Sequence, residues 1–177
     1  MSEGPFISGP QPSDDVYSQI RANLAFEHML VAMVIAAAAS GAADLVYKLA
    51  EALIAGAFGL GALFFALWRG FAFACVSFLI GFFAIVVAGL PLFMALERIK
   101  LRKAWPYVAA AIVIELIVAG VFAGGVPMLA DYMKGGRWLF FLPGVLAAFL
   151  FGRSIRPLWR AAEREETQTT PTIYRIH

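Results

Sequence analysis

Cysteine occurs once and histidine twice in the 177 residues, and only 15% of the side chains are charged. With Cys75 as the single thiol, no intrachain disulfide, CxxC redox pair or thiolate metal cage can form. His28 and His177 do not make a histidine-rich metal site, nor do they suit a bis-histidine haem within one chain. Fourteen Lys and Arg stand against 12 Asp and Glu, and the basic residues form no block in an aqueous domain, so no nucleic-acid partner is expected. Also missing are a GxxxxGK[ST] phosphate loop, an HExxH helix, an intramembrane Ser/His pair and an aspartate cluster able to hold metal and pyrophosphate. Nothing assembles into a nucleophile, a base and an orienting group, so the chain is expected to be non-enzymatic and to use no cofactor.

What is abundant is apolar surface. Apolar residues make up 62% of the chain, where a soluble domain carries about 45–50%. That excludes an ordinary soluble enzyme, and it equally excludes disorder, collagen and a disulfide scaffold. The expectation is an all-α polytopic helix bundle in a membrane.

Residues 1–23, with Pro5, Pro10 and Pro12, read as a polar N-terminal tail without the basic region and early apolar core of a signal peptide. Ser13 followed by Asp14 and Asp15 is a good helix start. A crossing helix needs roughly 20 residues for a hydrocarbon layer of about 30 Å. Within a transmembrane domain of 24–155, four spans are expected at 24–47, 70–96, 106–129 and 138–155. The stretch between the first two is ambiguous. Leu45, Leu49 and Leu53 oppose Asp44, Lys48 and Glu51, which suits an amphipathic helix on the membrane surface. Residues 52–68 are apolar enough to be interfacial or to make a fifth span, although Gly56, Gly59 and Gly61 interrupt them.

The loop after the second span carries Arg98, Lys100, Arg102 and Lys103, and the basic C-terminal tail, 156–177, follows Arg153. Positive residues stay inside, so both segments and the C-terminus are expected to be cytoplasmic, in a bacterial inner membrane. Four spans place the N-terminus inside; five place it outside.

Glu115 stands out as a candidate polar site. It lies about 14 Å into its span, where an acidic residue costs on the order of 2.5–3.5 kcal/mol. Antiparallel register brings Met33 and Ile85 to its depth and leaves it without a cation, with Ser40 and Ser77 about 10 Å further out. It is expected to be either a polar helix-packing contact or a proton- or cation-linked site. Gly120 and Gly124 form a GxxxG that allows close helix packing. Pro91 should kink its helix. Arg153, Arg156, Arg160 and Arg164 line one stripe, suited to snorkelling and to lipid headgroup contacts, with Trp159 beside it. Trp68, Trp105, Tyr107, Tyr132 and Trp138 fall at expected membrane boundaries. The function expected from this pattern is that of an accessory, assembly or interaction subunit working through helix packing. Its expected partners are the lipid bilayer and a homo-oligomer or larger membrane complex. The alternative is a transporter or ion-pathway component built on Glu115.

Overall fold

A computed structural model describes residues 14–124 and 137–169, and the described chain is almost entirely helical. The elements are α1 (Asp14–Ile54), α2 (Leu60–Ala84), a π-turn (Ile85–Gly89), α3 (Leu90–Arg98), α4 (Trp105–Ala123), a 3-10 turn (Arg137–Phe141) and α5 (Leu142–Thr169). Three stretches are long and apolar enough to cross a membrane: Arg21–Ile54, Leu60–Arg98 and Trp138–Arg164. The apolar stretch Trp105–Val121 is shorter.

The region between the first two expected spans forms no element of its own. Residues 44–54 continue α1 without a break, and residues 60–68 are already the start of α2. Neither a separate surface helix nor a fifth span is present among the described residues. The reversal is confined to the residues between them. Gly56 adopts φ 68, its N–H donates to Leu53 O at 3.1 Å, and the Ala57 N–H donates to Ala52 O at 2.9 Å. This pair of bonds closes the last carbonyls of α1 around a left-handed residue, a conformation glycine adopts without steric cost.

Close packing then joins α1 to α2 in an antiparallel hairpin. A β-carbon on Gly41 would lie 2.6 Å from Gly70 O, and one on Gly70 would lie 2.7 Å from Gly41 O. The two backbones therefore touch at this crossing. Further along, Met33 fills the space that a side chain at Gly81 would need. Pro91 offers no N–H to the carbonyl one turn before it and would crowd that carbonyl. The helix answers by widening into the π-turn at Ile85–Gly89, and α3 continues to Arg98.

α5 packs against both α1 and α4, while α2 and α4 make no extended contact. The core lies at the end of the bundle where α1 begins, around Ala25, Met29, Leu96, Phe151 and Ile155. There Tyr107 meets Phe151 edge-on at 5.0 Å and stacks on Trp159 at 6.1 Å. Gly152 lets Ala104 approach so closely that a β-carbon at 152 would sit 2.3 Å from the Ala104 methyl. α5 runs on to Thr169, so the first part of the basic segment that follows residue 155 is helical. Trp159 and Tyr107 are buried against each other there.

Two ion-pair groups tie the hairpin. Arg69 Nε donates to Asp44 Oδ2 at 3.0 Å, with the Asp44 side chain 3% exposed and Arg69 43% exposed. On the same hairpin, Glu97 Oε1 accepts from Arg21 at 3.3 Å and from Arg102 at 3.0 Å. Along α1, Arg21 and Asp44 are separated by about 35 Å at 1.5 Å per residue.

Candidate functional site

Glu115 projects from α4 toward the start of α5. The Gly144 N–H donates to Glu115 Oε1 at 2.8 Å. Gly144 is the third residue of α5, within the first turn, where backbone N–H groups lack partners inside their own helix. The aligned peptide dipoles also make that end partly positive. The carboxyl group thus caps α5 from a different helix, and this bond joins α4 to α5. A β-carbon at 144 would lie 2.1 Å from Glu115 Oε1, so the absence of a side chain at Gly144 is what lets the carboxyl sit this close. The other oxygen, Oε2, is buried and has no hydrogen-bond partner among the described residues.

Glu115 also forms part of the wall of a cavity of about 410 Å³. The cavity occupies the gap between α2–α3 and α4, with α1 and α5 closing its other sides. Met33 and Ile85, which the sequence register places at the depth of Glu115, share this cavity with it. Ser77 reaches the cavity as well. Ser40 does not; its hydroxyl is buried and donates to Ala36 O at 2.7 Å within α1.

The other sequence candidates have different surroundings. A β-carbon on Gly120 would meet nothing within 4 Å among the described residues. Gly124 takes φ 80 and ends α4 as its left-handed cap. Among the described residues, no other helix of this chain packs on the GxxxG. The glycines that do bring elements together are Gly41, Gly70, Gly81, Gly144 and Gly152, which no short motif marks. Arg153, Arg156, Arg160 and Arg164 are all exposed on α5. Trp68, Trp105 and Trp138 are exposed as boundary residues would be. Ser13, Tyr132 and the ends of the chain lie outside the described residues.

The Asp44–Arg69 pair is a second polar centre that sequence reasoning missed. The two residues are 25 positions apart, and the amphipathic reading puts Asp44 on the polar face of a surface helix. Their opposite signs on either side of a glycine-marked reversal were the available signal. No protein-family model, curated protein or solved structure matches the chain.

Proposed function

We propose that this chain is a non-enzymatic integral membrane protein of a bacterial inner membrane, acting as an accessory, assembly or interaction subunit through helix packing. The observation that carries this reading is the uncovered apolar end of the α1–α2 hairpin. At 1.5 Å per residue, α1 is about 60 Å long and α4 about 28 Å. With the Arg21–Glu97–Arg102 group at one boundary of a layer roughly 30 Å thick, the Asp44–Arg69 pair falls at the other. The hairpin continues beyond that pair, and its end exposes Ile54 (88%), Leu60 (86%), Phe64 (74%) and Phe58. Contiguous exposed apolar side chains of this size mark a surface that another apolar surface covers.

The test is copurification from native membranes under mild detergent. The wild-type chain should bring down a partner, and a Leu60→Glu/Phe64→Glu double variant should lose it while keeping the same thermal unfolding midpoint. A wild-type chain that extracts as a lone monomer in every mild detergent overturns the reading.

A second reading, a proton- or cation-linked pathway, is supported by Glu115, which lines the cavity and whose buried Oε2 has no hydrogen-bond partner among the described residues. It requires flux in liposomes that Glu115→Gln abolishes. Absence of flux with the wild-type chain removes it.

A further inference from the structure

α5 has two faces of different character. Phe151, Ile155 and Trp159 recur at four-residue spacing and are buried in the core. At about 100° per residue, Arg153, Arg156, Arg160 and Arg164 fall within a sector about 80° wide on the side away from that core. Before Arg153 the same sector holds Leu142, Leu146 and Phe149, of which Phe149 is 54% exposed. Between Leu142 and Arg164 nothing else lies in it, and Glu163 falls just outside. The outward face therefore changes once, within about one turn, from wholly apolar to wholly basic. A site for an acidic protein does not require an apolar run aligned with its cations. A helix that leaves a hydrocarbon layer for a layer of phosphates does.

The depth of this change agrees with the rest of the bundle. A β-carbon on Gly152 would lie 2.3 Å from the Ala104 methyl, so that level of α5 adjoins the start of α4, close to Arg102 of the Glu97 clasp. With that level as a membrane boundary, Phe149 lies about 4–5 Å on the hydrocarbon side, and Arg153 and Arg156 lie about 2–6 Å beyond it. Headgroups occupy roughly 5–7 Å of each leaflet, from the difference between the full and the hydrocarbon thickness of a bilayer. Arg160 stands about 12 Å out and Arg164 about 18 Å. All four arginines are exposed, and none has a hydrogen bond or ion pair to another described residue. A guanidinium keeps its charge and presents a planar fork of N–H donors that matches two phosphate oxygens. A zwitterionic headgroup brings its own ammonium against that fork, and an anionic headgroup does not. We propose that Arg153 and Arg156 bind the phosphate of an anionic phospholipid at this edge of α5, with Arg160 reaching back to the same layer. This rests on the reading of the chain as an integral membrane protein and not on partner capture at the hairpin end.

The experiment places a bimane fluorophore on Phe149→Cys, in a Cys75→Ser background, with the full chain reconstituted in liposomes. Quenching by dibrominated phosphatidylglycerol and by dibrominated phosphatidylcholine gives their relative affinity for this edge of the helix. Phosphatidylglycerol should be preferred about fivefold, the weight of one basic residue near the surface. The preference should shrink in 1 M salt, where the screening length falls from about 8 Å to about 3 Å. Arg153→Gln/Arg156→Gln should bring the ratio near one, while Arg160→Gln/Arg164→Gln should keep most of it. If the inner Gln pair does not fold, the wild-type ratio, its salt dependence and the charge-keeping Arg153→Lys/Arg156→Lys, expected to retain part of the preference, still decide. Equal quenching by the two lipids, a preference that survives the inner Gln pair, or an outer pair that matters as much as the inner one overturns the proposal. Equal quenching together with an acidic protein that copurifies through the inner pair assigns the stripe to that protein instead. A chain that alkaline carbonate strips from the liposomes overturns the membrane reading as well, whereas an inserted chain without preference overturns this proposal alone.

Discussion

Glu115 and Gly144 act as one unit, and each sets what the other position can be. Adding a methyl group at 144 forces the carboxyl off the Gly144 N–H, because the new carbon would sit 2.1 Å from Oε1. Gly144→Ala should therefore lower stability by roughly 1–3 kcal/mol, the cost of crowding plus an unmet buried donor, read as a fall in the unfolding midpoint. Gly120→Ala is the matched comparison. It adds the same carbon into open space within a helix, and should raise stability by about 0.5–1 kcal/mol. Glu115→Gln keeps an oxygen for the Gly144 N–H and should unfold close to wild type, whereas Glu115→Ala should lose about as much as Gly144→Ala. Half of this unit was legible in the sequence. An acid within an otherwise charge-free run is conspicuous, and its depth follows from residue count. Gly144 was not legible, since its role comes from a residue 29 positions earlier that happens to face the first turn of α5.

At the scale of elements, the hairpin shows why span boundaries were misread. Asp44, Lys48 and Glu51 look like the polar face of a surface helix, because sequence alone assigns such charges to water. In the fold Asp44 turns inward to Arg69 and Lys48 pairs with Glu51 along the helix, so α1 continues past its expected end. At α5 the three- and four-residue spacing of Arg153, Arg156, Arg160 and Arg164 signals a helix through that stretch, but not that Trp159 is buried by stacking on Tyr107 from another helix. The Asp44–Arg69 pair should show the asymmetry of a half-buried ion pair. Arg69→Leu strands a nearly buried carboxylate and should cost roughly 2 kcal/mol, less than the 3–5 kcal/mol of a fully buried pair because Arg69 is partly solvated. Asp44→Leu/Arg69→Leu should recover most of that loss. Thermal unfolding of the two single variants and the double variant checks this, and additive losses would show that the pair is not coupled. At the crossing, Gly41→Leu should be worse than any of these, since a side chain there meets the Gly70 backbone and not a movable side chain.

For the whole molecule, the clasp at Glu97 gathers helix ends from distant parts of the chain at one end of the bundle. Glu97 binds Arg21 at the start of α1 and Arg102 at the start of α4, and Tyr107 near the start of α4 stacks on Trp159 of α5. Four polypeptide directions therefore meet at one end of the bundle, and the turn at Gly56 lies at the other. If the helices cross a membrane, residues 21, 102 and 160 must share a side, which an odd number of crossings between the first and last helix would forbid. Under the proposed membrane reading, the positive-inside rule would put the basic residues Arg98, Lys103 and Arg160 at that end on the cytoplasmic side. Single cysteines placed on a Cys75→Ser background read this out. Lys103→Cys and Arg160→Cys should react with a membrane-impermeant maleimide only after the cytoplasmic face is opened, and Ala57→Cys should react in intact spheroplasts. Labelling of position 57 from the same side as position 103 would mean that the hairpin lies along the membrane without crossing it, and the cavity beside Glu115 would then face water at one end.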